Sequence, residues 1–203
     1  MIAVIADIMS SRDVDTRERQ KMDGAIRDLL DHTYERYQDY CLAIPTLTQG
    51  DSIELLVNSW QPVVFLFHNL LMEDLEFRAG FGTGEVIIKK ENADECDGPV
   101  FWNAREALDE IKTARYMSSS AGFKFAENTS DEERNIVINA ILLYVALLGL
   151  TTTQLRYCFH YIWKKERPTD IAKATRTSKG NVSRMLSKTP CYLIEKVMAF
   201  LSQ

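Results

Sequence analysis

The chain is poor in conformational breakers, with nine glycines and five prolines among 203 residues, which excludes a collagen-like or low-complexity fibre. It has no long unbroken apolar run. The longest, residues 136–150, is interrupted by Asn139 and preceded by Asp131, Glu132 and Glu133. That is short for a bilayer span, so a buried helix and no membrane partner are expected. The start, MIAVIAD, carries no basic segment and reaches Asp7 at once, so no secretory signal is expected. The four cysteines (Cys41, Cys96, Cys158, Cys191) lack CxxC or zinc spacing and read as free thiols of a cytoplasmic protein. His32, His68 and His160 are scattered without a metal-ligand pattern, and no GxxxxGK phosphate loop is present.

What the chain does have is a hydrophobic content of 46%, enough for a real core, and an uneven charge. Residues 151–203 hold ten lysines and arginines against three acids, a net +7. The total is −5, so the first 150 residues carry −12. A basic segment on an acidic body points to one part that meets a polyanion and another that does not.

Hydrophobic periodicity predicts a succession of elements. IAVIA (2–6) reads as a buried strand ending at Asp7. Met22, Ile26, Leu29, Leu30, Thr33 and Tyr37 recur at helical spacing. Residues 42–58 read as a hairpin turning at Gln49-Gly50-Asp51, and 60–74 as a helix with Pro62 in its first turn. Residues 75–88 read as strand, glycine-rich turn, strand, followed by a helix from Pro99 to about residue 112. The predicted order is β-α-β-β-α-β-β-α, an α+β alternation. The small, polar run 117–130 marks a boundary, dividing the chain into 1–126 and 127–203. Ser130-x-x-Glu133 is a capping box for a helix over 131–148, apolar on nearly every face, with three more helices after it.

Within TDIAKATRTSKGNVSRML (169–186), Thr169 is expected to cap one short helix and Ser178 a second, with a tight turn at 176–178. Ala172 allows close crossing, and Val182, Met185 and Leu186 face inward. Short helix, tight turn and second helix make a helix-turn-helix pattern. The outward groups Lys179, Asn181, Ser183, Arg184 and Lys188 are the types that meet bases and phosphates, so DNA is the expected partner. The competing reading is a helical module that only packs or dimerises. The segment also resembles the corresponding region of many bacterial regulators.

Asp7 ends the first strand and Asp51 sits at the hairpin tip. If the strands are neighbours, two hard carboxylates converge, a donor set for Mg²⁺ or Mn²⁺, and the Ile8 carbonyl adds a third oxygen. Taken alone, Asp7 reads more readily as a cap for the following helix and Asp51 as a turn residue. Arg12 and Arg105 are candidate anion-binding groups or surface ion-pair partners. Glu85 either joins the acidic site or starts a strand.

The blocks IADIMSSR, TQGDSIELLV, FRAGFGTGEV and DGPVFWNAREAL, in that order within residues 1–115, resemble the SatD family of bacterial proteins. They also look like a distant class III nucleotide cyclase core. That resemblance implies a ferredoxin-like sheet domain, with metal bound by Asp7, Ile8 and Asp51 and ligand contacts from Arg12, Gly50 and Glu85. Arg78, Gly80, Gly84 and Glu85 match the cyclase strand-turn-strand, and Ala104-Arg105 its later helix, which makes Arg105 a candidate catalytic, phosphate-contacting group. Two departures count against standard ATP cyclisation: Phe101 stands where cyclases have Asn, and Leu47 where ATP-using ones have Lys. The expectation is a DNA-binding regulatory homodimer with a metal- and nucleotide-binding cyclase-like domain. A metal-dependent nucleotidyl- or phosphoryl-transfer enzyme and a degenerate-fold adaptor are the alternatives.

Overall fold

Strand β1 (Ile2–Ile8) is buried along nearly its whole length because both of its neighbours are in the same sheet. It pairs antiparallel with β3 (Ser52–Val57) on one side and β4 (Phe77–Thr83) on the other. The structure, a computed structural model, describes residues 1–9, 15–48, 51–113 and 120–202. The sheet order is β2-β3-β1-β4-β5, where β2 is Thr46–Leu47 and β5 is Ser120–Lys124. The β4–β5 pair is parallel and the other pairs antiparallel. Strands and helices together make a mixed α+β architecture.

Alternation along each strand sorts the core onto two faces. Ile2, Val4, Ala6, Ile53, Leu55, Phe77, Ala79 and Phe81 face α1 (Thr16–Arg36) and α2 (Gln61–Met72). Ala3, Ile5 and Leu56 face α3 (Pro99–Thr113). Close approach of α3 depends on two glycines in β4. A Cβ at Gly80 would lie 2.1 Å from the Ala104 carbonyl oxygen, and one at Gly82 2.2 Å from that of Val100.

The predicted order needs three corrections. The glycine segment is not strand-turn-strand: Gly80 and Gly82 lie inside β4, and Gly84 (φ 143°) turns the chain away before Ile87 and Ile88, which stay exposed. The fifth strand instead follows α3, within the run 117–130 read as a boundary. Four helices, not three, follow α4 (Asp131–Leu148): α5 (Thr152–Ile162), α6 (Pro168–Ala174), α7 (Lys179–Ser187) and α8 (Cys191–Leu201). Among the described residues no helix is long and apolar enough to cross a membrane.

Helix α4 starts at the capping box of Ser130 and Glu133, as expected. Its Tyr144 ring stacks against Phe77, 5.1 Å between centroids. Only one side is buried, because Leu142 and Val145 are 61% and 51% exposed. Helix α6 has Arg167 at its N-cap position, without a side-chain cap bond, and Pro168 in its first turn, so Thr169 lies inside it rather than capping it. Ser178 caps α7 through the Asn181 amide. Val182, Leu186, Ile171 and Ala172 are buried where α6 and α7 cross. Cys158 and Cys191 are joined as a disulfide between α5 and α8, Cα atoms 5.4 Å apart, while Cys41 and Cys96 are free and buried. Two of the four expected free thiols are therefore paired, across 33 residues and with no CxxC signal.

A buried histidine joins the sheet layer to the helical layer. Trp163 Nε1 donates to His68 Nδ1 at 3.0 Å, which places the ring proton on Nε2, 2.9 Å from the Leu155 carbonyl. Burial lowers the His68 pKa from 6.5 to about 4. Unfolding between those pH values therefore takes up a proton, so stability is full above pH 6.5 and declines as pH falls through the window. The loss is about 3 kcal/mol in total. Chemical denaturation of His68→Gln against the wild type should show a shallower decline in this window; identical pH profiles would refute the assignment.

Candidate functional site

The end of β1 gathers charge from three strands and two helices. Asp7 lies across from Ser52 on β3 and Arg78 on β4. Ser52 Oγ donates to Asp7 Oδ1 at 2.9 Å, and Lys112 Nζ of α3 lies 3.0 Å from Oδ2. Asp51 comes one residue before β3, with a left-handed backbone (φ 77°) that costs a non-glycine residue energy. It is 8% exposed, its carboxylate bonds the Arg19 guanidinium of α1, and its carbonyl accepts from the Ile8 amide at 3.2 Å. Ile8 itself packs its side chain into the core.

The fold thus brings Asp7, Ile8 and Asp51 to one end of the sheet. The two carboxylates are neutralised by cations from different helices, Lys112 of α3 and Arg19 of α1. The donor set, two hard carboxylates, is the kind Mg²⁺ or Mn²⁺ takes. Among the described residues no cluster of three His, Cys, Asp or Glu side chains is placed to hold a metal. An ion here would rest on the two aspartates, backbone oxygens and water, displacing two side-chain cations.

Sequence reasoning missed Glu54. It is 7% exposed on β3, opposite Ile5, on the face that carries Asp7. Burial raises its carboxyl pKa; the Arg105 guanidinium, 3.2 Å away, pulls it down, and Asp94 pushes it up. The signal was present as one charged residue at an inward position of the otherwise apolar SIELLV. Arg105 is 60% exposed, so it holds Glu54 and still faces solvent, where an anion can reach it.

Glu85 is not brought to this cluster. It follows β4 at the opposite end of the sheet, exposed, with its carbonyl accepting from the Val100 amide. Arg12 and Gly50 lie outside the described residues. The two departures from the cyclase pattern are both core positions, Phe101 at 2% and Leu47 at 6% exposure.

Helix α7 forms the second group. Lys179, Arg184 and Lys188 are exposed, and Asn181 and Ser183 half-buried. Asn181 Nδ2 donates to Thr177 Oγ1 at 3.1 Å, and its Oδ1 accepts from Arg184 at 3.3 Å. Arg176 in the α6–α7 turn has φ 52°, which lets the Thr177 amide reach the Ala172 carbonyl at 2.9 Å. Helices α5 and α8 back the α6–α7 pair. The α7 N-terminus, with its positive dipole end, is left facing outward with Lys179.

Residues 1–157 match the model described as the SatD family, covering the whole sheet and ending within α5. No curated protein matches the chain.

Removing Arg105 should strand the buried Glu54 charge. Arg105→Ala is expected to cost about 1–2 kcal/mol near pH 8 and much less near pH 4.5, where Glu54 is more readily protonated. Adding Glu54→Gln should recover most of the loss. Equal losses at both pH values in thermal melts would mean that the pair is only a surface contact.

Proposed function

The chain belongs to the SatD family, and on that premise we propose that it is a DNA-binding regulatory protein. Its sheet domain takes a divalent metal, with a nucleotide or related phosphate ligand, and biases the C-terminal helices. The observation that carries the DNA half is the outward face of α7. Lys179, Arg184 and Lys188 project there beside Asn181, over a short helix crossing at Ala172, in a segment of net +7. That layout supports a helix-turn-helix reading, in which the cations would meet phosphates and the amide a base edge.

The sheet half is supported by strand succession and charge. The run β1-α1-β2-β3-α2-β4, with β1 between β3 and β4, supports a ferredoxin-like, cyclase-type reading. Asp7 and Asp51 sit on neighbouring chain segments there, with Arg105 nearby as an anion-binding group on α3. A divalent ion between the aspartates would supply the positive charge that Lys112 and Arg19 supply without it. Mg²⁺ or Mn²⁺ would bring phosphate oxygens into its coordination shell.

Helix α1 offers a path between the two halves. Its first turns hold Asp51 through Arg19, and its last residue, Arg36, donates to the Trp163 carbonyl at the end of α5 at 3.0 Å. An ion that frees Arg19 acts on the same rigid helix that touches the support of α6 and α7. A metal-dependent transferase would share the sheet end, but would require turnover as well as binding.

Fluorescence anisotropy on a labelled random duplex tests the DNA half without knowledge of the target. Binding should weaken steeply with salt, and Lys179→Ala or Arg184→Ala should each reduce the salt slope by about one. An absence of salt-dependent binding to duplex DNA would defeat the reading.

A further inference from the structure

Beyond the functional face of α7, helices α4 and α8 present apolar side chains to solvent. Ile138, Leu142 and Val145 stand at helical spacing on α4, 36%, 61% and 51% exposed. Leu193, Val197 and Phe200 do the same on α8, at 64%, 38% and 72%. The two helices line one apolar groove of about 210 Å³, between Leu142 and Ala146 on one side and Leu193 and Val197 on the other. No charged side chain lies on α4 beyond its first turn.

We propose that this α4–α8 face is the interface with a second copy of the chain, closed by a two-fold axis. The argument is area and self-fit. Together the exposed fractions amount to about 600 Å² per copy, at the upper end of what a monomer leaves in one apolar patch. Doubled by a two-fold, they bury about 1,200 Å², the lower limit of a stable specific interface. The patch also carries both a projection and a hollow. Phe200 is the most exposed large apolar residue in the described chain. The groove has room for one aromatic ring, since cavities of about 150 Å³ take benzene. In an isologous contact each copy supplies the ring for the other's groove, so knob and hole are satisfied together. A lipid surface fits less well, because the basic rim that anchors an interfacial helix is missing: α8 has one lysine, Lys196, and α4 has Arg134 alone, in its first turn.

The paired α4 and α8 helices form a four-helix contact of the kind that buries such stripes. Helix α8 begins directly after α7 and Pro190, so the axis fixes the placement of two α7 helices relative to each other. The interface itself does not rest on the DNA reading, although it supplies the dimer that half-site reading calls for.

Sedimentation equilibrium of the full chain at micromolar concentration should give twice the 23.3 kDa protomer mass. Leu142→Glu and Leu193→Glu replace exposed side chains, so circular dichroism should remain that of the wild type while the mass falls to the monomer. A monomeric wild type, including one that binds some other protein on this face, overturns the proposal. So does a folded Glu variant that remains dimeric. Because DNA binding is read separately by anisotropy, a monomer that binds DNA removes the interface alone, and a dimer that does not bind DNA removes the α7 reading alone.

Discussion

The antiparallel clasp of β1 by β3 and β4 is the constraint on which the rest of the molecule depends. Ala3, Val4 and Ala6 are wholly buried because sheet neighbours and helices close on them from every side. A slip of one residue in either ladder would turn Ile2, Val4 and Ala6 to the α3 face and Asp7 to the α1–α2 face. The register that buries the apolar set is therefore the register that sets Asp7 beside Ser52 and within reach of Lys112. Core and site are not independent achievements of the sequence.

Once β1 is fixed, the remaining elements are placed by close approach. Helix α3 lies against backbone at Gly80 and Gly82, and this brings Lys112 to Asp7 and Arg105 to Glu54. On the other face, α2 carries His68 into contact with Leu155 and Trp163, and α1 carries Arg36 to Trp163. The helical layer thus shares one continuous core with the sheet, from Phe67 and Phe77 through Tyr144 to Phe159 and Trp163. A perturbation at the sheet end has packed groups, rather than a flexible linker, between it and α7.

Much of this was legible in the sequence where local rules operate. The first strand, the hairpin, the α3 start at Pro99 and the Ser130–Glu133 cap each follow from a few adjacent residues. What was not legible depends on partners far away in the chain. SAGFK has neither bulk nor clear alternation, and becomes β5 only because β4 offers it a parallel edge. EVII has strand-forming residues, yet Gly84 diverts it from the sheet, and Ile88 makes an isolated antiparallel bridge with Asp97 instead of extending a strand. The ion pairs of Glu54 with Arg105, 51 residues on, and of Asp7 with Lys112 have no local signature. The same holds for Cys158 and Cys191, which meet only because α5 and α8 pack together.

The proposed regulation requires that occupancy of the sheet end be felt at α7, since a ligand shifts a conformational equilibrium only through a difference in affinity for the two states. The most direct measurement is DNA affinity with and without Mn²⁺ at constant ionic strength, in the wild type and in Asp51→Asn. The account predicts that the ion changes wild-type affinity by about five-fold or more, the lower end of ordinary allosteric coupling, and leaves the variant unmoved. DNA affinity that is indifferent to the ion in the wild type, or equally responsive in Asp51→Asn, would contradict it.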